Sequence, residues 1–385
     1  MLTLWKNCDV YAPAHVGLRD ILVEGDKIAA IGEDLGIWLS APEITVRDME
    51  GAIVCPGLID QHVHVTGGGG EQGPASRTPE LQLTDFTLNG VTSVVGLLGT
   101  DGVSRSLENL LFKVRALEEE GLSTWMMTGN YRVPTKTLTG DVQRDICLID
   151  KIIGVKVAIA DHRSSAVTGQ ELARLATEAR LGGMLSGKPG LVVLHMGTSE
   201  DRMAAIFWAL KHSDVPAKHF LPTHCCRSPE LIAEGVELTK LGGTIDFTAE
   251  LPDNVPGTAA ALCSALRMGA DPAYVTMSSD GGGSQPAFNE AGECIGLCSA
   301  TSVTLLQELR RMIWREGLDL QTALRFFTEN PARLIGQAGK KGTVAVGADA
   351  DLLVLSEKYE VRHVMARGRE AVRDGAAVMK GYFET

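Results

Sequence analysis

The sequence predicts an α/β fold: a (β/α)8 TIM barrel with a small β-sandwich domain built from the N- and C-terminal segments. Three observations carry this expectation. Eight short apolar runs recur along the chain, helix-period stretches lie between them, and the two ends break the alternation with short β-like runs. A chain of 385 residues, 44% of them hydrophobic, can bury a large core and suits one large domain with a satellite.

The eight runs are GLIDQHVH, VTSVVGLLG, STWMMTGN, GVKVAIAD, GLVVLHMG, FLPTHCC, GTIDFTA and VTMSSDG. Runs that are apolar on both faces are what parallel strands covered by helices look like. Between them, LENLLFKVRALEEEG, GQELARLATEARLGG and DRMAAIFWALKHS space their apolar residues by three and four, as does SVTLLQELRRMIWREG farther on. One helix start is especially legible: Ser228 suits the cap, Pro229 the first helical position and Glu230 the positive end of the helix dipole. The alternation assigns residues 53–330 to the barrel. Outside it, DILVEGDKIAAIGEDL and EITVRDMEG in residues 1–52, and GTVAVGADADLLVLS and VRHVMARGREAVRDG in residues 331–385, are β-like. Each end is too short to hold a core alone, so the two together are expected to form the small domain.

Composition narrows the function classes. A net charge of −12 without a basic run argues against a nucleic-acid surface. No segment reaches the roughly 18 apolar residues of a membrane span, and MLTLWKNCDVYAP lacks the pattern of a secretory leader, so a cytoplasmic protein is expected. Eight scattered cysteines without C-x-x-C spacing read as reduced thiols.

A barrel places its chemistry at the C-terminal ends of the strands. There the sequence puts His62 and His64 on the first strand, Lys156 on the fourth, His195 on the fifth, His224 on the sixth and Asp280 on the eighth. His62 and His64 are two apart, so both rings face one side and can grip one ion. One histidine near an apolar strand is usually a hydrogen-bonded core residue. Four of the nine histidines at three strand ends, with a carboxylate at a fourth, point instead to a metal site. His15, His162, His212, His219 and His363 do not join this pattern. Lys156 admits two readings, since an ammonium inside a barrel needs either an acid beside it or another chemical role. Gly68 to Gly73 fit G-x-G-x-x-G, but Pro74 and Pro79 follow where a helix should open, and no Gly-Lys-Ser/Thr is present. A dinucleotide site and a phosphate loop are therefore rejected.

The His-x-His, the strand lysine, the two later histidines and the final aspartate resemble the binuclear amidohydrolase superfamily. DQHVHVTGGGGEQGPASRTPE, GVTSVVGLLGTD, GVKVAIADHRS, LVVLHMG, LPTHCCR and SSDGGGSQP are more closely similar to the isoaspartyl (β-aspartyl) dipeptidase family, over essentially the whole chain. The resemblance implies that His62, His64 and Asp280 hold one zinc ion, that His195 and His224 hold a second, and that Lys156, carboxylated, bridges the two. It implies a shared water activated by both ions, Asp280 as the proton carrier and Tyr131 as the donor to the developing oxyanion. Glu71 is similar to the family glutamate that takes the substrate α-ammonium, and Gly69, Thr100 and Ser284 match its polar lining. Arg163 and Arg227 directly follow metal-site strands, where each can pair bidentately with a substrate carboxylate. Without the resemblance, Tyr131 reads as a loop aromatic and the two arginines as solvated charges. The implied activity is hydrolysis of the isopeptide bond of β-aspartyl dipeptides. A small dipeptide is the expected partner, and a homo-oligomer, an octamer in the family, the expected assembly. A related amidohydrolase acting on cyclic amides or N-acyl amino acids is the alternative, followed by a metal-free assembly homologue, which would be expected to lack ligands.

Overall fold

A computed structural model describes residues 2–250, 257–288 and 294–385. All eight apolar runs form parallel strands in the expected order: Leu58–Val63, Val91–Gly96, Ser123–Gly129, Ile152–Ile159, Leu191–Met196, Phe220–Thr223, Ile245–Thr248 and Val275–Ser278. The fold is mixed α/β with a curled parallel sheet. The first six strands make one ladder and the last two make a second. Side chains stitch the gaps between ladders. Asp246, on the seventh strand, accepts hydrogen bonds from Gln61 (2.6 Å) and Thr223 (2.7 Å) on the first and sixth strands, and from Thr276 (2.9 Å) and Ser278 (2.6 Å) on the eighth. A parallel bridge joins Val63 to Gly281, and the His64 amide donates to the Gly281 carbonyl at 2.7 Å.

The intervening helices begin where side chains can satisfy their free amide groups. Ser106 accepts from the Asn109 amide ahead of Leu107–Glu120, and Thr168 makes a capping box with Glu171 ahead of Gly169–Ser186. Ser228 accepts from the Leu231 amide, with Pro229 opening Pro229–Lys240 as the sequence predicts. Leu191 and Val193 point into the curled sheet, packing with Ile59, Val95, Met127 and Leu221, while Val192 and Leu194 face the helices. The period of two therefore carries His195 to the inner face, above Val193.

The chain ends meet in a nine-stranded sheet. It takes Leu2–Tyr11, His15–Glu24, Lys27–Gly32, Ile44–Asp48 and Ile53–Pro56 from one end and Leu352–Leu355, Val361–Ala366, Arg369–Arg373 and Ala376–Ala377 from the other. Trp5, Val10, Ile21, Val54, Leu352 and Val354 pack as its core. Among the described residues, no helix is long and apolar enough to cross a membrane.

Candidate metal and substrate site

Two of the strand-end residues sit on unusual backbone. His224 (φ 64°) and Asp280 (φ 54°) are left-handed, a conformation non-glycine residues seldom adopt and one that clusters at functional sites. The turn they make brings their side chains back over the sheet. His62 Nε2 and His64 Nε2 lie 3.5 and 3.1 Å from Asp280 Oδ1. The His62 ring lies 5.3 Å from His224 and the His195 ring 4.5 Å from His224, centroid to centroid. Ligand atoms of His62, His224 and Asp280 fall within 4.8 Å of one another.

Lys156 is fully buried beneath these rings, its Nζ 3.1 Å from His62 Nε2. Among the described residues it makes no ion pair. Burial lowers its pKa to about 7, so the amine is readily neutral. Burial, reinforced by the nearby cations, also holds His62 and His224 well below the usual imidazole range. His195 is likewise pushed down by burial, against the opposing effect of its hydrogen bond to the Asp161 carboxylate. Neutral imidazoles are the form that binds metals. Among the described residues, His62 Nδ1, His64 Nδ1 and Asp280 Oδ1 are buried without hydrogen-bond partners, although buried polar atoms are normally satisfied. Four imidazoles, a carboxylate and an amine pressed together in this way form a donor set that suits divalent ions.

A cleft opens above the donors, and every predicted substrate residue lines it. The Glu71 carboxylate sits at its mouth, accepting from Thr100 Oγ1 (3.2 Å), Ser284 Oγ (3.2 Å) and Arg163 Nη1 (3.3 Å). The Tyr131 hydroxyl lies 2.6 Å from His195 Nδ1, and burial raises its pKa so that it remains protonated. Arg163 lies over the Tyr131 ring at 5.5 Å. Arg227 reaches His195 Nε2 at 3.2 Å and donates to the Met196 carbonyl.

The glycine run is shaped first by its own loop. A Cβ at Gly67 would stand 2.4 Å from the Thr78 carbonyl oxygen, and one at Gly69 2.4 Å from that of Ser76, both at positive φ. Gly68 donates to the Gly282 carbonyl at 2.8 Å, tying the loop to the turn after Asp280. At Gly99 the crowded neighbour is a donor itself: a Cβ would meet His64 Cε1 at 2.9 Å.

Two side chains at strand ends escaped the sequence reading. Asp161, closing the fourth strand run, accepts from Arg163 Nε at 2.9 Å and Nη2 at 3.0 Å, and lies 3.0 Å from His195 Nε2. Thr248, on the seventh strand, lies 2.6 Å from His224 Nδ1 through its hydroxyl. The strand-end rule that selects the histidines also covers both positions.

A model described as the amidohydrolase family matches residues 53–371. Among solved structures, the β-aspartyl dipeptidase of Fervidobacterium islandicum AW-1, in complex with β-Asp-Leu, superposes with a TM-score of 0.92. It is 42% identical in sequence, over 98% of this chain and 97% of that one. The dihydroorotase of Lactobacillus johnsonii is 47% identical over 64 residues, which cover 17% of this chain and 14% of that relative. Adenine deaminase 2 of Agrobacterium fabrum is 25% identical over 366 residues, covering 94% of this chain and 54% of that relative. The chain thus spans at most about half the length of these two curated relatives.

Proposed function

Because the chain belongs to the amidohydrolase family, whose model covers residues 53–371, we propose that it is a metal-dependent hydrolase of the isopeptide bond in β-aspartyl dipeptides. The 42% identity to an enzyme solved with β-Asp-Leu supports that substrate class. We place one ion with His62, His64 and Asp280 and a second with His195 and His224, with Lys156 as a carbamate between them; a buried amine whose pKa falls to about 7 suits that modification. Imidazole and oxygen donors favour zinc. Such a pair of ions, when bound, makes water nucleophilic at neutral pH and polarises the scissile carbonyl. The curled sheet, stitched at both gaps by Asp246, is read as a closed (β/α)8 barrel, and residues 1–52 and 331–385 as a small β-sandwich domain whose sheet also takes in Ile53–Pro56. Exposed Ile37, Trp38, Leu148, Met184 and Leu185 accord with a homo-oligomer in solution.

The chain's own residues divide the remaining work. Asp280 takes a proton from the attacking water and delivers it to the leaving amine. The protonated Tyr131 hydroxyl donates to the oxygen that gains charge at the scissile carbonyl. Glu71 binds the α-ammonium, with Gly69, Thr100 and Ser284 around it, and Arg163 and Arg227 bind carboxylate.

The contact between Glu71 and Arg163 carries the reading. These opposite charges, 23% and 20% exposed, face each other at 3.3 Å across the cleft. A dipeptide with its ammonium and carboxylate on one carbon can insert between them, giving each charge a new partner of opposite sign. A substrate with only one of the two groups would leave a charge unpaired, at a cost of several kcal/mol when desolvated. Incubation with β-Asp-Leu is expected to release aspartate and leucine, with about two metals per chain and loss of activity on chelation. Active protein with one metal or none would contradict the two-ion reading, and faster hydrolysis of a cyclic amide would move the substrate assignment to another branch of the family.

A further inference from the structure

We propose that Asp161 is a positioning residue that serves both halves of the site at once, fixing the tautomer of His195 and anchoring Arg163. The inference rests on the two-ion dipeptidase reading above. Asp161 is held firmly: its side chain is 4% exposed, and Ala160 beside it has φ 52°. Gly197 lets the next strand's turn close onto it, since a Cβ there would lie 2.0 Å from the Ala160 carbonyl oxygen and 2.4 Å from Asp161 Cα.

The hydrogen bonds assign the tautomer. The Tyr131 hydroxyl, which can donate or accept, lies 2.6 Å from His195 Nδ1, so the carboxylate at the other ring nitrogen decides between the tautomers. Nε2 then carries the proton and donates it to Asp161 Oδ2 at 3.0 Å. The opposite tautomer would point a lone pair at a carboxylate. Arg163 Nη2 and Arg227 Nη1 also come within hydrogen-bonding distance of Nε2, at 2.9 and 3.2 Å, and reach the same carboxylate oxygen at 3.0 and 3.8 Å, so Nε2 shares Asp161 with two guanidinium groups. Asp161 therefore leaves Nδ1 as the lone-pair nitrogen of His195, the orienting role that a carboxylate commonly takes behind a metal-bound histidine.

The same carboxylate sets the aim of Arg163. Two bonds at 2.9 and 3.0 Å tie the guanidinium to Asp161, against one of 3.3 Å to the more exposed Glu71. When a zwitterion enters, the Glu71 contact is the one that exchanges, and Arg163 stays in place with Nη1 free for the substrate carboxylate. Hydrogen bonds held elsewhere by a fixed fork lose little freedom on binding.

The test compares Asp161→Asn and Arg163→Lys with the parent enzyme. It measures zinc retention against a chelating dye, melting temperature, and kcat/KM for β-Asp-Leu relative to β-alanyl-leucine, which lacks the α-carboxylate. Asp161→Asn is expected to weaken zinc retention by roughly 10- to 100-fold and to shrink the substrate ratio by about tenfold or more, by the energy of a charged hydrogen bond. Arg163→Lys, which cannot form the bidentate pair, should shrink the ratio while retaining zinc. Parent-like zinc retention together with an unchanged ratio in Asp161→Asn would overturn the proposal. Equal losses on both substrates with a lowered melting temperature would also overturn it, since that is the mark of a purely structural residue. If Asp161→Asn fails to fold, an unchanged ratio in Arg163→Lys overturns the anchoring role. If the parent enzyme cleaves neither dipeptide, the substrate reading fails separately, and zinc retention in Asp161→Asn still decides the His195 assignment.

Discussion

Glu71 and Lys156 illustrate how far single residues can be read. Glu71 follows a glycine run, and only the resemblance gives it a task; the structure adds its three donors, Thr100, Ser284 and Arg163. Replacing its charge should weaken substrate and spare metal. Glu71→Gln is expected to lower kcat/KM for β-Asp-Leu by about 10- to 100-fold, the energy of a charged hydrogen bond, with metal content per chain unchanged in elemental analysis. Lys156 stood between an acid-paired ammonium and a modified amine. Its burial, its contact with His62 and its lack of an ion pair among the described residues favour the second reading. Lys156→Ala should lose metal and activity, and bicarbonate or a small carboxylic acid should restore part of the activity by supplying the missing oxygens. Lys156→Arg should remain inactive under the same treatment, because a guanidinium cannot carry the carboxylate. Asp161 and Thr248 were missed for a physical reason: each acts through hydrogen bonds to a histidine distant in sequence, and nothing in its own neighbourhood marks that partner.

At the level of strands and helices, the eight runs were legible because a strand buried on both faces is apolar at every position, and Ser228-Pro229 was legible because capping is local chemistry. What the runs did not disclose was how the ladders meet. Asp246 sits in GTIDFTA as one carboxylate in an apolar strand, and its four partners come from three other strands. Asp246→Ala would strand those buried donors and is expected to cost about 3–5 kcal/mol in urea unfolding. Burial outweighs the hydrogen bonds and raises this carboxyl from 3.8 to about 7. Between those values the native state holds a proton that the unfolded chain has lost, so this group's contribution to stability falls as pH rises through the window. Metal-free protein should accordingly lose stability from pH 4 to pH 7 relative to Asp246→Asn, whose amide does not titrate. Parallel pH profiles for the two proteins would contradict the assignment.

For the whole molecule, the distinguishing property is which of two isomeric dipeptides the cleft accepts. The ends of the chain join in one sheet, and the strand ends converge so that His64, His195, Asp280, Glu71 and Arg163 line one cleft. In β-Asp-Leu the ammonium and the free α-carboxylate share one carbon, separated by a methylene from the scissile carbonyl. In α-Asp-Leu the ammonium sits on the carbon beside the scissile carbonyl and the free carboxylate is the side chain's, one methylene farther out, so the two groups no longer share a carbon or stand at the same distance from the scissile bond. The α isomer therefore leaves one of the charges at Glu71 and Arg163 without its partner, and an unpaired desolvated charge costs several kcal/mol. The direct measurement is kcat/KM for both isomers on one metal-replete preparation. A preference for β-Asp-Leu of at least roughly a hundredfold is expected, at ~1.4 kcal/mol per factor of ten; equal turnover of the two isomers would contradict the account.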